Sequence, residues 1–190
     1  MYEELLTPFE TVPFEEMNKK QVIQYFDWFM ETKSERLRYL EEYVHSDGGT
    51  VQFDYSPESL IDLWIWYKDK IVWEEQTKAE TEEELRKTPE IFRNMVLENT
   101  QKLTSQSLMI GVDIAVYFGE CIIKNNSAIH WGYVTKPKRL VDVNKPRLVG
   151  FRGNGSVFPY SLVSVCTRRS LKKWNDKDLF EIYQKWCELI

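Results

Sequence analysis

Apolar residues recur every three or four positions over the first two thirds of the chain, and every second position over a shorter stretch beyond it. In MNKKQVIQYFDWFMETKSERLRYLEEYVHSD (residues 17–47), Val22, Phe26, Phe29, Leu37, Leu40 and Val44 are spaced by three, four or eight, which places them on one side of a helix. Lys and Glu fill the other side. Asp47-Gly48-Gly49 then supplies residues that tolerate left-handed backbone and stop a helix. The segment predicts one long amphipathic helix, or two broken near Thr32–Ser34.

Ser56-Pro57-Glu58 predicts the start of a second helix, because serine caps an orphan N–H and proline at the first turn has none to waste. Leu60, Leu63, Trp64, Tyr67 and Ile71 form its stripe, with Trp66 and Trp73 off it. Thr88-Pro89-Glu90 opens a third in the same way, carrying Ile91, Phe92, Met95, Val96 and Leu103 as its apolar set. The pattern weakens near Thr104–Ser107. It resumes with Val112, Ala115, Val116, Gly119, Ile122 and Ile123, a helical spacing that outweighs their β-branched content. Ala115 and Gly119, one turn apart, leave room for another backbone to approach.

From residue 128 the period shortens. Ile129, Trp131 and Tyr133 alternate with His130, Gly132 and Val134, as in a strand with one buried face. Pro146–Arg152 reads as a second strand, Asn154-Gly155 as a type I′ hairpin turn, and Val157-Phe158 as the returning strand. Residues 159–169 fit either a helix begun by Pro159 or an edge strand. Asn175 or Asp176 caps a last helix with Leu179, Ile182, Tyr183, Trp186 and Ile190 on its stripe. The expectation is an α+β fold in one domain over residues 1–190. Amphipathic helices over about 14–125 pack on a small antiparallel sheet, which together with a closing helix takes up about 128–190.

Charge divides unevenly. Residues 1–100 hold 23 acidic and 11 basic side chains, residues 101–190 hold 7 and 14, so a net −5 is the sum of −12 and +7. The acidic extreme is Glu74–Glu90, and the basic extremes are Lys136–Arg152 and Arg168–Lys173. Such asymmetry points to an electrostatic partner or to halves that neutralise each other. An aromatic content of 14% excludes a disordered tail. No apolar run nears the roughly 20 residues of a membrane span, and the acidic start is unlike a targeting segment, so a cytoplasmic location with no membrane partner is expected.

Catalytic signatures are sparse. Cys121, Cys166 and Cys187 are three scattered thiols, and His45 and His130 are the two imidazoles. No ligand spacing for zinc occurs, so neither metal nor other cofactor is expected. A Cys121–His130 nucleophile pair, or a cleft around Tyr117, Glu120 and His130, are the enzymatic alternatives. Asp113, Tyr117, Glu120 and Lys124 share one side of a helix, either as a site or as a solvated face with a Glu120–Lys124 pair. The glycines of Gly150–Gly155 fit the hairpin better than a phosphate loop.

Tyr25–Val44 and Val112–Lys138, with NKPRLVGF downstream, resemble proteins of uncharacterised function from Bacillus-type Gram-positive bacteria. Tyr117, Gly119, Glu120 and Trp131 carry the shared pattern of a helix ending in Gly-Glu before a Trp-bearing strand. Some of those proteins look like immunity partners of secreted toxins, which implies a bacterial, non-enzymatic interaction protein. Its expected docking residues are Trp66, Trp73, Glu74, Glu75, Glu82 and Glu83, facing a protein such as a basic toxin domain. The alternative is nucleic-acid association through Lys136, Lys138, Arg139, Arg168, Arg169, Lys172 and Lys173. In that case Trp131, Tyr133 and Phe151 would serve as stacking aromatics among Arg147 and Arg152.

Overall fold

A computed structural model describes residues 2–138 and 140–190. Its elements follow the α+β expectation. Helix α1 spans Lys19–Ser46 and α2 Ser59–Lys68; strand β1 (Trp73–Glu75), α3 (Lys78–Lys87), α4 (Arg93–Glu98) and β2 (Gln101–Leu103) follow. Helix α5 (Ser105–Asn125) precedes β3 (His130–Gly132), β4 (Arg147–Phe151) and β5 (Gly155–Val157), and α6 (Pro159–Ser170) and α7 (Asp178–Cys187) end the chain.

Helix α1 is unbroken through Thr32–Ser34. Its start is a capping box: the Asn18 side chain accepts from the amides of Lys20 and Gln21, and Gln21 returns its side-chain oxygen to the Asn18 amide. Ser56 caps the turn before α2 as expected, its hydroxyl accepting from the Ser59 amide at 3.3 Å. The third expected helix is shortened to a 3-10 turn at Glu90–Phe92 and the six residues of α4, and Leu103 belongs to a strand.

One cluster of buried side chains runs from Tyr2 to Tyr183, with α5 at its centre against α1, α2, α6 and α7. Residues 113–122 of α5 are buried without interruption, so its apolar stripe is one sector of a helix covered all round. It is also the one helix among the described residues long and apolar enough to cross a membrane, against the expectation that no such run exists; 72% of that span is buried inside the fold. At Gly119 the close neighbour is the ring of Trp131, where an added Cβ would lie 2.5 Å from Cζ2. A side chain, not the anticipated backbone, exploits the missing methyl.

Strands β3, β4 and β5 form an antiparallel sheet in that order, with Trp131 opposite Leu148 and Leu148 opposite Val157. The hairpin turn falls one residue earlier than Asn154-Gly155. Phe151 pairs with Gly155, and the intervening Gly153 and Asn154 carry φ of 65° and 59°. Residues 159–170 are helical with Pro159 in the first turn, which settles the choice left open by sequence. Helix α7 starts at Asp178, whose amide donates to the Asn175 carbonyl in the preceding turn.

Candidate functional site

Residues 73–103 leave the core as an arm. Its root is the two-stranded β1–β2 ribbon, in which Trp73 pairs with Leu103 and Glu75 with Gln101, closed by the Thr104 amide donating to the Val72 carbonyl at 3.0 Å. Helix α3 buries none of its residues. Caps and charges hold it instead. Thr77 and Glu80 form a capping box, and Lys102 reaches across from β2 to Glu80 at 2.5 Å and Glu74 at 3.4 Å. Those bonds from Lys102 and Thr77 pull the Glu80 carboxyl down to about 2. On the helix itself Glu83 pairs with Arg86 and Lys87.

The 3-10 turn and α4 carry a second feature. Ile91, Phe92, Met95 and Leu97 are exposed, Ile91 by 82%, while Val96 alone of the set is buried. Four large apolar side chains therefore stand in solvent beside the acids of α3 and Glu90 and Glu98. Sequence periodicity assigned Ile91, Phe92 and Met95 to a core face; the cause of the reversal is that α3 has no buried side to receive them.

Of the six expected docking residues, Trp73, Glu74, Glu75, Glu82 and Glu83 lie on this arm. Trp66 does not. It sits half-buried on α2, its indole N–H donating to Asp47 Oδ2 at 3.1 Å, with Lys70 over its ring and Tyr43 against its edge.

The row on α5 is not a solvated face, since Asp113, Tyr117 and Glu120 are all buried. Asp113 is 1% exposed and accepts from Tyr2 Oη at 2.6 Å and from Arg36 Nη2 and Nε at 2.5 and 3.1 Å. Burial pushes the Asp113 carboxyl above the usual range, and the bonds from Arg36 and Tyr2 hold part of that back. Tyr117 shares a hydrogen bond with Ser59 Oγ at 2.8 Å and accepts from the Tyr55 amide at 3.1 Å. Glu120 Oε1 accepts from Lys33 Nζ and from Trp131 Nε1, both at 2.7 Å. The Glu120–Lys124 pair does not form; the Lys124 ammonium lies over the Tyr55 ring, 5.7 Å from its centroid. As α5 climbs from Asp113 to Glu120, α1 descends from Arg36 to Lys33, so the two ion pairs set these helices antiparallel and in register.

The residues of the enzymatic alternatives divide between core and surface. Cys121 is buried, and burial pushes its thiol up to about 12, the reverse of an activated nucleophile. His130 is exposed on β3, while Tyr117 and Glu120 are occupied in the interior. Among the described residues no group of three His, Cys, Asp or Glu side chains is placed to hold a metal ion.

The basic residues do not share one element. Lys136 and Lys138 are exposed in the β3–β4 loop, Arg139 lies outside the described residues, and Arg168, Arg169, Lys172 and Lys173 gather at the end of α6. There Arg169 is engaged by Asp178. The aromatics that would stack on bases are taken: Trp131 and Phe151 are core residues and Tyr133 packs on Phe26. Arg147 is buried on β4 with Nε and Nη1 unpartnered among the described residues, and burial lowers its pKa.

Compared with known proteins, the chain matches no family model, no curated protein and no solved structure.

Proposed function

We propose that the chain is a protein-interaction module whose acidic arm docks a basic protein partner. The observation that carries this reading is the exposure of Ile91, Phe92, Met95 and Leu97 on an arm held outside the core and flanked by acidic side chains. An apolar centre with a charged rim is the usual anatomy of a recognition surface. The rim's sign selects a basic partner and speeds encounter with it. A toxin domain neutralised in the cytoplasm is the concrete version that the resemblance of Tyr25–Val44 and Val112–Lys138 implies.

The test places a photo-cross-linking amino acid at Phe92 and, as a control, at exposed Val165 on α6, in a lysate of the organism that encodes the chain. The reading expects Phe92 to trap a protein with a net positive domain that rebinds when purified, and Val165 to trap none. An acidic partner, trapping through Val165 alone, or no trapping at either position contradicts it.

A further inference from the structure

A cavity of about 310 Å³ opens between α1, α5 and the segment joining β5 to α6. Its wall is largely aromatic, with Phe14, Tyr25, Trp28, Trp131 and Phe158 among the rings. Among the described residues three cations line it, Lys33, Arg36 and Lys145, against one anion, Asp113. The remaining counter-charges, Glu120 for Lys33 and Asp142 for Lys145, are not part of the lining. The two Asp113 oxygens are already committed to Tyr2 and Arg36.

The wall therefore carries spare cationic donors, its one carboxylate is committed, and the hydroxyls of Tyr25, Thr32 and Tyr160 are neutral groups that can also donate. An ammonium has three N–H groups, and Lys33 spends one on Glu120. Lys145 stands 3.5 Å from Asp142 and lies over the rings of Phe158 and Phe14, 5.1 and 5.9 Å from their centroids. Aromatic walls accept cations in other proteins, but here three resident cations repel them. The volume is at the small end of ligand pockets, which begin near roughly 300 Å³.

We propose that this cavity binds a small monocarboxylic acid with an apolar body. The body lies among the rings and the carboxylate accepts from Lys145 and Lys33. Nothing in this site depends on the acidic arm, so either assignment stands without the other.

The test titrates the intact protein with 4-phenylbutyrate and with 4-phenylbutan-1-ol, its uncharged counterpart, following Trp28 and Trp131 fluorescence and isothermal calorimetry. A charge-assisted bond to the acid predicts about tenfold tighter binding than to the alcohol. Lys145→Gln, a change at a partly exposed ion pair, removes most of that advantage and leaves the alcohol unchanged. Ala115→Leu projects into the cavity from α5 and abolishes binding of both. Equal affinity for acid and alcohol, no saturable binding to folded wild-type protein, or acid affinity untouched by both substitutions would each overturn the proposal.

Discussion

Replacing Asp113 by Asn is the sharpest probe of how the interior is held together. The side chain keeps its size and loses its charge, while Arg36, 8% exposed, keeps a guanidinium that stays protonated at any ordinary pH. The native carboxylate receives two bonds from Arg36, at 2.5 and 3.1 Å, and one from Tyr2 at 2.6 Å. Removing one member of a buried ion pair typically costs about 3–5 kcal/mol, because the other is left charged and unsolvated. At about 2–4 °C per kcal/mol for a chain of this size, Tm falls by roughly 6–20 °C. The loss of the Tyr2 bond overlaps with this and is not added. Removing both charges with Arg36→Met and Asp113→Leu leaves no buried charge unpaired and only the Tyr2 hydroxyl without its acceptor, so the double variant recovers at least half of the loss. Urea and thermal unfolding followed by circular dichroism at pH 7 measure both. A cost below about 1 kcal/mol for Asp113→Asn would show that the carboxyl is already neutral in the fold, and would refute the ionic account.

Three further outcomes follow from the same geometry. Gly119→Ala gains about 1 kcal/mol of helix propensity but drives its Cβ to 2.5 Å from a Trp131 ring held by Glu120. Overpacking typically costs about 1–3 kcal/mol, so chemical denaturation shows a net loss, and a stabilised variant contradicts the packing. The Glu80 carboxyl, depressed from 4.5 to about 2, lends its support to the arm fully above its unfolded value and loses it as pH falls toward about 2. Carbon-detected NMR titration reads that midpoint directly; a value near 4.5 rejects the Thr77–Lys102 network. Burial pushes Cys121 and Cys166 up to about 12, so a disulfide reagent at pH 8 labels half-buried Cys187 first and the other two only on unfolding. Rapid labelling of Cys121 in the native state would contradict its place in the core.

What could be read from the chain depended on whether a local pattern was enough. Helices α1, α2, α5 and α7 and the three-stranded sheet announce themselves through periodicity, because that signal acts within a turn or two, whereas the expected side-chain cap of α7 by Asn175 or Asp176 is not made. The hairpin was visible but displaced by one residue, since Asn and Gly both adopt positive φ and Gly153-Asn154 serves as well as Asn154-Gly155. Periodicity at Ile91, Phe92, Met95 and Val96 shows a face and not what covers it; α3, with no apolar side of its own, covers almost none of it. The buried row Asp113–Tyr117–Glu120 looked solvated because its partners are distant in sequence. A signal did exist. Along α1 the apolar stripe jumps from Phe29 to Leu37, and Lys33 and Arg36 occupy the vacant helical positions between them. Two cations on an apolar stripe call for two buried anions, and α5 supplies them seven residues apart.

The acidic arm as the recognition surface is tested most directly by association kinetics with the purified partner trapped through Phe92. Stopped-flow measurement compares wild type with Glu82→Lys/Glu90→Lys across ionic strength, two changes at exposed positions that leave the core intact. The account predicts that charge reversal slows association at low salt by about tenfold or more, and that salt erases the difference. Equal association rates for both proteins at every ionic strength would contradict it.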